Sequence, residues 1–96
     1  MKLFAIVIDT LDKSYQGVQI GHAVSKLASK HPDVDWDHQT FVWLKAGEFK
    51  FMKMIDKLRR EGIHFQTFTE PDIGNKLTAI ACLTDKYSIF KSLDLF

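Results

Sequence analysis

Gln16-Gly17-Val18-Gln19-Ile20-Gly21-His22-Ala23 stands behind a continuous apolar run, Leu3-Phe4-Ala5-Ile6-Val7-Ile8, that Asp9 closes. An apolar run, a polar loop and then an amphipathic segment read as strand, loop, helix. Gln19, His22 and Lys26 lie three and then four residues apart, so they share one face of the helix. Val18, Ala23, Val24 and Leu27 are left to pack on a sheet. Two Gly and a His within the first turns of a helix are not what propensity favours, so propensity yields here to another need. That need is close backbone packing at Gly17 and Gly21, or a ligand at the carboxyl end of the strand.

Working outward, the run Leu3–Ile8 has the unbroken apolarity of a central strand buried on both faces. Asp9 to Ser14 form a loop, with Ser14 as a plausible N-cap, and the helix runs from about Tyr15 to Lys30 until Pro32 ends it. Asp33, Asp35 and Asp37 alternate in the next loop. They start like a calcium loop but lack its Gly and closing Glu, so a solvated acidic loop is the reading and no metal is expected.

A second strand is expected over Gln39–Lys45 and a second helix over Gly47–Arg60. Phe51, Ile55 and Leu58 make that helix's apolar stripe, broadened by Met52 and Met54. Lys50, Lys53, Lys57, Arg59 and Arg60 make its outer side basic, which reads first as a solvated face. Gly62 suits a C-cap. Ile63–Thr69 is a third strand, Glu70–Lys76 a turn rich in breakers, and Leu77–Leu83 a fourth strand. A short helix, Lys86–Ser92, and an extended tail, Leu93–Phe96, close the chain. The expected fold is α/β: a compact β-α-β-α-β-β-α sandwich, a mixed four-stranded sheet with helices on its faces. The first and fourth strands are expected to be neighbours.

Ninety-six residues make one domain, spanning 1–96, and 46% hydrophobic residues suffice for one core. The formal net charge of +1 supplies no global field for nucleic acid, so any RNA contact needs a local basic patch. One cysteine, Cys82, excludes a disulfide framework within the chain. With an initial apolar run too short for a signal peptide, this points to the cytoplasm, and no stretch approaches the ~20 apolar residues of a membrane span. The aromatic load of eight Phe, two Trp and two Tyr in so small a chain favours a homodimer.

Two polar clusters interrupt the apolar elements: Gln19 with His22, and Asp72, Gly74, Asn75 and Thr78 around the last turn. If the first and fourth strands pair, both can meet in one cleft. No Cys-x-x-Cys, His-x-x-x-His, nucleophile elbow or phosphate loop is present.

In this order the segments resemble the peptidyl-tRNA hydrolase 2 family over nearly the whole chain. Gln19-Ile20-Gly21-His22-Ala23 is similar to that family's Ala-Gln-x-x-His-Ala segment. Glu70-Pro71-Asp72-Ile73-Gly74-Asn75-Lys76-Leu77-Thr78 resembles its Asp-x-Gly turn and the Thr that opens the last core strand. Leu93-Asp94-Leu95-Phe96 resembles its C-terminus. The resemblance implies hydrolysis of the ester between a peptide and the 3′ end of tRNA, without a cofactor, by a domain that is often a homodimer. It implies Gln19, His22, Asp72 and Thr78 as catalytic residues. The family's Gly-Lys pair is replaced by Ser14 and Tyr15. Lys13, Tyr15 and Asn75 are therefore the candidate binding groups. Loss of one oxyanion donor costs roughly 10²–10³ in rate. The alternative is a catalytically silent relative that holds a nucleotide-like ligand or an RNA end in the same cleft.

Overall fold

The computed structural model describes residues 1–33, 35–37 and 40–96. Strand β1 (Lys2–Ile8) leads into α1 (Lys13–Lys30), then β2 (Phe41–Ala46), α2 (Glu48–Arg60), β3 (His64–Glu70), β4 (Lys76–Thr84) and β5 (Asp94–Leu95). Single 3₁₀ turns occupy Pro71–Ile73 and Tyr87–Phe90. The sheet order is β3-β4-β1-β2-β5. β1 and β2 are parallel, and the other three pairings are antiparallel, so the sheet is mixed.

The α/β class and the β1–β4 pairing hold, with Ile6 directly opposite Ile80. The strand count does not. Among the described residues the sheet has five strands, because the tail adds β5: Leu44 faces Leu95, and the Phe96 N–H donates to the Trp43 carbonyl. The expected last helix is only a 3₁₀ turn. With α1 and α2 already on the two faces, Ile89 and Phe90 need a single turn to reach the core. At the start of α1 the N-cap position falls to Asp12 rather than Ser14. Gly47 caps α2 from outside it. Gln39, the expected start of β2, lies outside the described residues, as do Val34 and His38. Among the described residues no cluster of three or more His, Cys, Asp or Glu side chains is disposed to hold a metal ion, which covers Asp33, Asp35 and Asp37.

Period-two alternation divides the core into two layers. Phe4, Ile6 and Ile8 of β1 face α2 and pack with Phe51, Ile55 and Leu58. Leu3, Ala5 and Val7 face α1 and pack with Ile20, Ala23 and Leu27. Being buried on both sides is why this strand reads as an unbroken apolar run. Two expected core residues are exposed: Val18 on α1 and Met52 on α2, each on the flank of its helix turned from the sheet. A Cβ at Gly17 or Gly21 would meet open space, so close packing is not what those glycines serve.

α1 lies over β4, β3 and β1 and leaves β2 bare on that side. It runs antiparallel to β3, which turns its polar stripe onto that edge strand. Gln66 meets His31, the Thr67 carbonyl accepts from Lys26, Phe68 stacks under His22, and Glu70 meets Gln19 and Tyr15.

Candidate functional site

The polar end of this seam is built on Glu70. Its carboxylate sits at the end of β3, in step with Gln66 and Phe68, so alternation turns it toward α1. The Tyr15 hydroxyl donates to Glu70 Oε1 over 2.7 Å. Gln19 Nε2 donates to the same oxygen over 3.2 Å. Behind it, the Thr78 hydroxyl donates to Gln19 Oε1 over 2.6 Å. Tyr15, Glu70, Gln19 and Thr78 thus form one chain of hydrogen bonds, and among the described residues no buried side-chain polar atom is left without a partner.

A β-bulge puts Thr78 there. Phe68 pairs with Ala79 and Thr69 with Leu77, so Thr78 is the extra residue on β4. Strict alternation would turn it toward α2, beside Ile80 and Cys82. The bulge places both Thr78 and Ala79 on the α1 side, while Leu77 packs against the α2 layer. The turn that precedes it carries two consecutive left-handed residues, Gly74 (φ 72°) and Asn75 (φ 59°). Gly and Asn are the residues that adopt this conformation at least cost.

The charges follow from the bonds. The Tyr15 hydroxyl, chiefly, and the Gln19 amide hold the Glu70 carboxyl below its ordinary range, against burial, with help from the His22 charge and the Asp72 backbone N–H. The same bond to Glu70 pushes the Tyr15 phenol up to about 12, assisted by burial and by the Glu70 and Asp72 charges. The centre is therefore an ionised carboxylate with a neutral phenol. Glu70, strongly hydrogen-bonded, is a weak base, and Tyr15 does not ionise at neutral pH.

Of the residues singled out from the sequence, Gln19 and Thr78 are brought together and wholly enclosed. His22 is exposed and stacks on Phe68, ring centroids 4.5 Å apart and nearly parallel. Asp72 is exposed, close enough for its charge to act on Tyr15, and Asn75 is exposed at the turn. Lys13 is not part of the group: its ammonium lies 5.4 Å over the Phe96 ring, on the β2 flank of α1. The crevice of about 440 Å³ at the carboxyl end of β1 is also separate, lined by Asp9, Lys45, Glu48 and Asp94 among others rather than by Gln19, His22, Asp72 or Thr78. The breaker-rich spacing of Glu70–Lys76 assigns Glu70 to the turn, whereas the structure places it at the end of β3. Its place in the even-numbered series 66, 68, 70 is the signal that assigns it to the strand and to the α1 side.

No protein-family model matches the chain, and no curated protein matches it. Among solved structures it is similar to a protein of unknown function from Agrobacterium tumefaciens strain C58. The TM-score is 0.78 and the identity 14%, over 99% of this chain and 96% of that one. At this identity the likeness concerns the fold alone: the same compact arrangement of two helices on a mixed sheet recurs in a second sequence.

Proposed function

We propose that this chain is a divergent peptidyl-tRNA hydrolase 2-like domain that binds a terminal ribose, of a nucleoside-like ligand or of an RNA 3′ end, without cleaving an ester. The observation that carries the reading is the 2.7 Å bond between Tyr15 and Glu70. Where the resemblance implies a lysine, a neutral phenol is tied to a carboxylate. Ester hydrolysis needs a base for the attacking water and donors or cations for the oxyanion. Glu70 is weakened as a base by its donors, and Lys13 points away to Phe96.

The same geometry suits a vicinal diol. Asp72 presents an exposed carboxylate beside Tyr15, and carboxylates accept hydrogen bonds from ribose hydroxyls. His22, whose charge acts on Glu70, and Asn75, exposed in the adjoining turn, are the further polar groups of this reading; Gln19, itself held by Thr78, fixes Glu70 from within. The homodimer belongs to this proposal. The α1-side face of β2 carries Phe41 and Trp43, half-exposed and in ring contact with each other and with Trp36 and Phe96. A half-exposed aromatic surface of this kind suits a second copy.

The test is calorimetry with adenosine and 2′-deoxyadenosine alongside a turnover assay on a peptidyl-tRNA mimic. Binding of adenosine alone, lost in Asp72→Ala, with no turnover, is the expected result. Turnover by the native chain, raised by Tyr15→Lys, would establish the hydrolase reading instead.

A further inference from the structure

The basic side of α2 is not uniform. Lys50, Lys53, Lys57 and Arg60 line a groove of about 400 Å³ between α2 and the segment that ends at Ser92. They follow one another at three, four and three residues and form a single stripe roughly 15 Å long. Two ammonium groups are pinned to the far wall: Lys50 donates to the Ser92 carbonyl over 3.1 Å and Lys57 to the Ile89 carbonyl over 3.4 Å. Asp56 is the one acidic residue of the lining, and Arg59, outside the groove, approaches it at 3.9 Å. Just beyond the head of the stripe, in the adjoining crevice that shares Lys50 and Ser92 with the groove, stands Phe49, 71% exposed, with the Lys53 ammonium 4.6 Å over its ring. Phe49 serves no core, since the apolar stripe of α2 is Phe51, Met54, Ile55 and Leu58.

A concave row of cations with an exposed aromatic ring at one end holds both components of a single-strand binding surface, a track for phosphates and a face for a base. We propose that this groove binds a single-stranded polynucleotide, its phosphates along Lys50, Lys53, Lys57 and Arg60 and one base stacked on Phe49. A concave track suits a strand better than a planar anionic membrane surface, and an acidic peptide would make no use of the exposed Phe49 ring. The groove lies on the α2 face, across the sheet from Tyr15 and Glu70, and its reading does not rest on theirs. A DNA strand lacks the vicinal diol, so it probes this groove alone.

The experiment is titration of the full chain with a short oligothymidylate at several salt concentrations, by fluorescence anisotropy. The logarithm of affinity should fall against the logarithm of salt with a slope near −3, about 0.7 for each of four phosphates. Lys53→Ala with Arg60→Ala should halve that slope. Phe49→Ala should weaken binding roughly tenfold and leave the slope unchanged. Arg59→Ala should change neither. These four residues are exposed side chains, and circular dichroism checks that each variant is folded. Absence of binding at low salt overturns the proposal. So does an Arg59→Ala effect equal to that of Arg60→Ala, which would mean diffuse charge. An unaltered affinity in Phe49→Ala, or binding to anionic vesicles without binding to the oligonucleotide, overturns it as well.

Discussion

Thr78 reaches Gln19 across the interface of β4 and α1, hydroxyl to amide oxygen at 2.6 Å, because the bulge turns Thr78 out of strand alternation. Both side chains are fully buried, so each satisfies a group that water cannot reach. Thr78→Val keeps the shape and leaves Gln19 Oε1 without its donor. The expected cost is about 1–3 kcal/mol, read as a lower urea midpoint at constant slope.

Tyr15 and Glu70 each contribute a pH dependence to the stability of the fold. Glu70 is held below its ordinary value in the folded chain, so its contribution is present above the unfolded carboxylate pKa and is lost as pH falls through the folded value. Tyr15 is raised to about 12, so its contribution is complete below 10 and declines as pH rises toward 12. Melting temperatures of the native chain should fall at both ends. Tyr15→Phe should flatten both declines: the alkaline one because no phenol titrates there, and the acid one because Glu70 loses the donor that chiefly separates its folded from its unfolded value.

Ile6 and Ile80 face each other at the centre of the sheet and are fully buried. Either residue changed to Ala should cost about 2–5 kcal/mol through the cavity left behind. Chemical denaturation measures it, and an unchanged midpoint would contradict this packing.

Trp43, 38% exposed beside Phe41 and Phe96, is the centre of the face that α1 leaves bare. If the proposed homodimer uses this face, light scattering on the native chain should give twice the 11.1 kDa protomer mass. Trp43→Glu should return it to the protomer mass with the fold retained, because the residue is not enclosed in the monomer.

Cys82 lies fully buried in the α2 layer, and burial pushes its thiol up to about 12. The thiolate is the reactive form, so a thiol-specific disulfide reagent at neutral pH should leave the folded chain unmodified and react at once in denaturant.

The sequence alone determined the order of elements up to β4 and the pairing of its two most apolar strands. The reason is that hydrophobic periodicity is a local property. Leu3–Ile8 is apolar throughout because both of its faces are covered, and Gly62 and Gly74 mark backbone positions with positive φ. Gln19 and Thr78 stood out as polar residues within apolar elements. What joins them was not legible, because it depends on partners fifty or more residues apart. Only the tertiary structure turned the polar stripe of α1 onto β3, bulged β4 at Thr78 and delivered Glu70 to Tyr15. It also gave the tail a strand's role: two residues carry no periodicity of their own, and β5 exists because β2 offers an unpaired edge. Lys13 and Tyr15 are two positions apart on one helix, yet helical geometry sends one to Phe96 and the other to Glu70.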